Sequence, residues 1–186
     1  LRMYKALLTV LALAATPVLA TGIEINVKGE GANGVIVIDL FEDVAPAHVK
    51  RITNLAAEGK YDGVAFHRVI DGFMAQSGDV QFGNSNSPDY NPSLAGTGGS
   101  DLPNVKAEFT DIAHNRGVLS AARSADPDSA NSQFFICLDS APHLDRQYSA
   151  FGKVIKGMEF IDMIKKGDPN SGAVPNPDKI ISLKSK

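Results

Sequence analysis

Short apolar runs recur along this chain, each closed within a few residues by glycine, proline, asparagine or serine: IEINVK at 23–28, VIVIDLF at 35–41, then 64–70, 117–121, 133–138 and 149–155. Runs that short, punctuated that often, suit strands and not long helices, and their rhythm predicts a barrel or sandwich. The first two runs flank GEGANG and read as a hairpin whose turn contains Asn33-Gly34. Two interruptions have helical spacing. Val49, Ile52, Leu55 and Ala56 recur over 46–58 with Pro46 near the start and Gly59 past the end, and Met158, Ile161 and Ile164 recur over 158–166 before Gly167. The final ten residues read as a closing strand, and 80–103, rich in Gly, Asn, Ser and Pro, is the longest irregular stretch.

Cys137 is the single cysteine, so no internal disulfide forms, and its place in FFICL predicts a buried thiol. The fold therefore depends on its apolar core. Residues 1–20, LRMYKALLTVLALAATPVLA, join Arg2 and Lys5 to an apolar run from Ala6 to Ala15 and a small-residue ending, which is the pattern of a secretory signal peptide. The run falls short of the ~20 apolar residues of a membrane span, so stable insertion is not expected. One domain, 21–186, follows. The chain carries 18 basic and 21 acidic side chains; without residues 1–20 the formal charge moves from −3 to −5, because two bases and no acids leave. That balance excludes a basic nucleic-acid footprint.

Several motifs fail on context. GEGANG has the G-x-G-x-x-G spacing of a dinucleotide loop, but a strand and not a helix follows it. GTGGS at 96–100 lacks the lysine of a phosphate loop, and DPDSAN at 126–131 lacks the glycine and distal glutamate of a calcium loop. His48, His67, His114 and His143 show no metal-ligand spacing, and Ser77 sits in QSGD, not in a nucleophile elbow. No cofactor or metal is expected.

Two segments carry more. In FHRVIDGFMAQSGD, 66–79, a guanidinium at Arg68 shares strand parity with Phe66 and Ile70. A cation on an apolar face is costly unless paired or aimed at something, so Arg68 either meets a carboxylate such as Asp71 or Asp79 or serves a site. In SQFFICL, alternation puts Phe134, Ile136 and Leu138 on one face and Gln133 and Phe135 on the other. From this segment alone a binding groove and a two-sided core strand are both open readings.

Taken in order, FHRVIDGFMAQSGD, GTGGS, SQFFICL and FGKVIKGMEFID resemble the cyclophilin-type peptidyl-prolyl cis-trans isomerases, over essentially all of the chain after residue 20. AARSADPDSANSQFF is similar to bacterial secreted members. The resemblance implies a mostly β fold, a closed eight-stranded antiparallel barrel capped by two helices, with a proline-binding groove on its outer surface. It implies isomerisation of X-Pro bonds in exported proteins and a periplasmic location, against the alternative of a non-catalytic chaperone binding the same segments. By position, Arg68 matches the catalytic arginine and Gln76 the catalytic amide; Phe73 and Met74 match groove residues, and Ala122 and Arg123 the edge whose backbone binds the substrate chain. Gln133, Phe135 and Leu144 match the walls and floor of the proline pocket. Tyr148 stands where eukaryotic members carry a histidine, a change familiar among bacterial members, and His143 where they carry the tryptophan on which cyclosporin binding leans, so the resemblance implies weak cyclosporin binding through His143.

Overall fold

The run IEINVK becomes β1 (Gly22–Lys28), and VIVIDL lies in β2 (Asn33–Leu40), antiparallel to it, in the computed structural model, which describes residues 21–186. The expected signal peptide lies outside the described residues. The hairpin is as expected, but its turn is 29–32: Lys28 already pairs with Asn33. A buried carboxylate moves the turn. Asp178 accepts the N–H groups of Gly31 and Ala32 at 2.9 and 3.0 Å, and any Cβ at Gly29 would strike that same side chain. Gly34 is needed for packing, because a Cβ there would sit 2.5 Å from the ring of Phe160. The spacing that mimics a dinucleotide loop is thus a turn closed over an acid and a gap filled by an aromatic.

Helix α1 (Pro46–Ala57) buries Val49, Ile52, Leu55 and Ala56. Its Ala45 cap has no side-chain oxygen to offer; Glu108 instead accepts the N–H groups of Ala47 and His48 at 3.0 and 3.1 Å. The remaining strands are β3 (Arg68–Ile70), β4 (Met74–Ser77), β5 (Val118–Ala121), β6 (Phe134–Cys137), β7 (Ala150–Lys156) and β8 (Lys179–Ser185). Helix α2 (Met158–Met163) is shorter than expected. Ile164 turns extended, and Asp178 takes the N–H of Lys165 at 3.0 Å; Lys166 then folds back to the carbonyls of Asp162 and Ile164.

All pairing is antiparallel, in the order β3-β4-β6-β5-β7-β2-β1-β8. The expected closed barrel is corrected to a curled half-barrel. Between its outer strands β3 and β8 no ladder forms; isolated bridges join Ala65 to Lys179 and Arg68 to Ala173. The reason lies in where the backbone bonds go. Only 63–66, before β3, exchanges backbone bonds with Asp178 and Ile180; within β3, Val69 donates its N–H to Gly172 and accepts that of Gly167, so β3 is paired with the 167–174 connection and not with β8.

The concave side is filled by Ile23, Ile25, Ile36, Ile38, Val69, Leu119, Phe134 and Ile136, among others. A second, smaller cluster covers the opposite face of β4, β6 and β5: Met74, Val118, Ala122, Phe135, Cys137 and Leu144, with Phe73 and Tyr148 against it. Both faces of β6 are therefore buried, and burial pushes the Cys137 thiol up to about 12. The long 80–103 stretch has no helix or strand, yet it is anchored. Asp79, fully buried, accepts the N–H groups of Gln81 and Phe82 near the start of the loop at 3.1 and 2.9 Å, and of Gly96 and Gly98 near its end at 2.7 and 3.0 Å.

Candidate active site

Strand register assembles the site on the outer cluster. Arg68 lies directly opposite Gln76 across the β3–β4 hairpin, and Gln76 lies opposite Phe135 across β4–β6, so all three project from one face. Met74, two residues from Gln76, shares that face. These four, with Phe73, Ala122, Arg123, Leu144 and Tyr148, line a hollow of about 110 Å³. Apolar side chains line it together with a few polar ones, Arg68, Gln76, Arg123 and Tyr148, the usual make-up of a binding pocket.

Arg68 makes no ion pair among the described residues. Its Nε donates to the Ser171 carbonyl at 3.1 Å and Nη1 to Gln76 Oε1 at 3.3 Å, with Met74 Sδ at 3.8 Å. The carboxylate alternative fails for Asp79, whose two oxygens are taken by four backbone N–H groups. A relay of amides then fixes the polar wall: Gln76 Nε2 donates to Gln133 Oε1 at 3.0 Å, and Gln133 Nε2 to the Gly98 carbonyl at 2.8 Å. Because that relay sets which end of each amide faces Arg68, the Gln76 oxygen is held toward the guanidinium.

Two expected residues stand apart from the hollow. Gln133 lines a second hollow of about 250 Å³, which shares Gln76, Ala122 and Arg123 with the first and extends past Gly96, Thr97, Ser124 and Ser129. His143 is exposed on a single 3-10 turn, Pro142–Leu144, where its ring leans on Phe73 with centroids 5.4 Å apart. Leu144 on the same turn is buried and does reach the hollow. Arg123 is held over the Tyr148 ring at 4.3 Å, donating to the carbonyls of Ser124, Ala125 and Gln147 at 2.9, 3.4 and 2.7 Å.

Sequence reasoning missed the supports. Phe135 is gripped on two sides, edge-on by Tyr148 at 5.8 Å and stacked by His114 at 6.2 Å. The His114 imidazole is itself clamped between Asp145 Oδ1 at 3.0 Å and Ser120 Oγ at 2.9 Å, and the His114 backbone N–H and ring hold the Asp145 carboxyl below its ordinary value. Ser171, the carbonyl partner of Arg68, lies 103 residues away in sequence. No local pattern marks these residues, because each acts through a contact that only the fold creates.

Comparison with known proteins bears on this geometry. The family model described as "Cyclophilin type peptidyl-prolyl cis-trans isomerase/CLD" matches residues 23–185. A Brucella suis protein named "Probable peptidyl-prolyl cis-trans isomerase" is 52% identical over 150 residues, covering 80% of this chain and 76% of that protein. A Helicobacter pylori peptidyl-prolyl cis-trans isomerase is 40% identical over 142 residues, 73% of this chain and 77% of its own. Among solved structures, a cyclophilin from Hirschia baltica has a TM-score of 0.70 at 25% identity, over 87% of this chain and 72% of its own. A cyclophilin-type isomerase from Cryptosporidium parvum, solved in the presence of the dipeptide Ala-Pro, has 0.71 at 27% identity, over 88% and 97%.

Proposed function

This chain belongs to the cyclophilin-type peptidyl-prolyl cis-trans isomerases, and from that premise we propose that the hollow bounded by Arg68, Phe73, Met74, Gln76, Phe135 and Leu144 is where it rotates X-Pro bonds. Conjugation of the nitrogen lone pair with the carbonyl sets a barrier of ~18–20 kcal/mol to rotation. Uncatalysed X-Pro exchange takes roughly tens to hundreds of seconds. No bond is made or broken; the enzyme has only to favour the twisted imide over both planar ones. In the twisted state the prolyl nitrogen regains its lone pair and accepts a hydrogen bond, so a donor held beside it acts only at the barrier top.

Arg68 is that donor in our reading. The observation that carries it is a guanidinium bonded to an amide, a thioether and a carbonyl, with no carboxylate to neutralise it, at the rim of an apolar hollow of proline size. Phe73, Met74, Phe135 and Leu144 clamp the ring by apolar burial while the preceding carbonyl swings past Gln76. Shortening exchange from ~100 s to milliseconds is about five decades, or roughly 7 kcal/mol. One preorganised donor contributes about 3–4 kcal/mol, so desolvation and ring clamping contribute the remainder.

The substrates we assign are proline-containing segments of exported proteins, reached after removal of residues 1–20; the support is the basic start, apolar run and small-residue ending of that segment. Exchange spectroscopy by NMR on a short X-Pro peptide tests the activity. Arg68→Ala should abolish most catalysis while leaving peptide affinity within about threefold, since the guanidinium acts at the barrier and not on the ground state. Affinity without catalysis in the unaltered protein would mark a holding chaperone instead.

A further inference from the structure

The charges around the two connected hollows are one-sided. Arg68 and Arg123 line the first, Arg123 lines the second as well, and no aspartate or glutamate lines either. Neither arginine has a carboxylate partner among the described residues. The nearest acids in sequence to Arg123 are engaged with backbone N–H groups: Asp126 accepts that of Asp128, and Asp128 accepts that of Ala107. Taken over residues 21–186, the two groove arginines included, the protein is acidic, at −5 from 16 basic and 21 acidic side chains after Arg2 and Lys5 are set aside. The groove is a cationic strip on an anionic molecule.

Arg123 is also preorganised. Three backbone carbonyls and the Tyr148 face hold the guanidinium in one place, so little side-chain freedom remains to be lost when a substrate arrives. Its position is between the hollows. If the proline ring fills the first hollow with its nitrogen toward Arg68, the residue before it must leave past Gln76, and Gln76, Ala122 and Arg123 are the walls the two hollows share.

Resting on the assignment of Arg68 and the first hollow above, we propose that Arg123 makes this isomerase selective for prolines immediately preceded by a residue with a carboxylate side chain. An acidic side chain leaving the imide meets the fixed guanidinium at the rim; a basic one meets two like charges and no counter-charge. Carbonyl bonds orient the arginine without neutralising it, so its charge is available to the substrate. Low salt strengthens the effect because the groove is open to solvent.

The test uses three N-acetylated peptides that differ only in the residue before proline: Glu, its neutral isostere Gln, or Lys. With the intact chain, kcat/KM from NMR exchange is expected to fall in the order Glu, Gln, Lys, with Glu over Lys by about tenfold at low salt, a difference of about 1.4 kcal/mol, and to narrow as salt rises. Arg123→Gln should flatten that ratio whatever it does to the absolute rates, and Arg123→Lys should keep most of it. A ratio within about twofold in the intact chain, with the Gln peptide turned over, overturns the selectivity alone and leaves the activity standing. A ratio that survives Arg123→Gln also overturns it, by moving the selection elsewhere. Failure to turn over any of the three peptides overturns the activity and this inference together.

Discussion

A guanidinium that donates to Gln76, Met74 and Ser171 and to no carboxylate loses hydration without a compensating ion pair, a cost that a structural role does not explain. The expected result of Arg68→Ala is therefore a loss of about two to three decades in kcat/KM with the melting temperature unchanged. Proline-exchange NMR and a thermal scan read the two halves, and full turnover in the variant would remove Arg68 from the mechanism. Arg68 was legible because a cation in an apolar strand demands an explanation. Its Ser171 partner was not, since that carbonyl comes from 103 residues away. His143 gives a second residue-scale prediction. It is exposed on its turn and leans on Phe73, at the position where the family resemblance implies a tryptophan in cyclosporin-binding members. Cyclosporin A should inhibit weakly in the exchange assay, and nanomolar inhibition would contradict this.

Among the elements, β3 and β6 fall within the apolar runs at 64–70 and 133–138, whereas β4, four residues from Met74 to Ser77 that include Gln76 and Ser77, is not marked as a strand by its pattern. Elsewhere, what alternation missed was set by buried acids. Asp178 pulls the first turn back to 29–32 and stops α2 at Met163 by taking the Lys165 N–H. Asp79 does the same work for the 80–103 loop, closing it with N–H groups from both ends. Asp79→Asn is nearly isosteric but puts an NH2 group against one pair of those donors, so two charge-assisted bonds are lost. The expected cost is about 3 kcal/mol in urea unfolding. A change below about 1 kcal/mol would mean that the loop is anchored by other contacts.

At the scale of the whole molecule, stability should depend on pH through two imidazoles. Burial, working against the Glu108 carboxylate, holds His48 below its ordinary 6.5, and burial, working against Asp79, does the same for His67. A group whose folded value is lowered binds its proton more readily in the unfolded chain. Its contribution is complete above 6.5 and is lost as pH falls through the lowered folded values. The melting temperature should thus drop between about pH 7 and about pH 5, and replacing both histidines with glutamine should flatten the profile; an unchanged slope in that double variant would assign it to the carboxylates. The half-barrel itself is a whole-molecule outcome. Sequence alone determined most of the strands and the presence of two helices, the apolar core that substitutes for cross-links, and the unusual Arg68, because periodicity and composition are local properties. Tertiary structure decided whether the sheet closes, which partner each buried charge takes, and which side chains meet at the hollow. Those depend on contacts between residues far apart in the chain, and no local pattern encodes where a carbonyl such as that of Ser171, or an N–H such as that of Gly98, arrives in space.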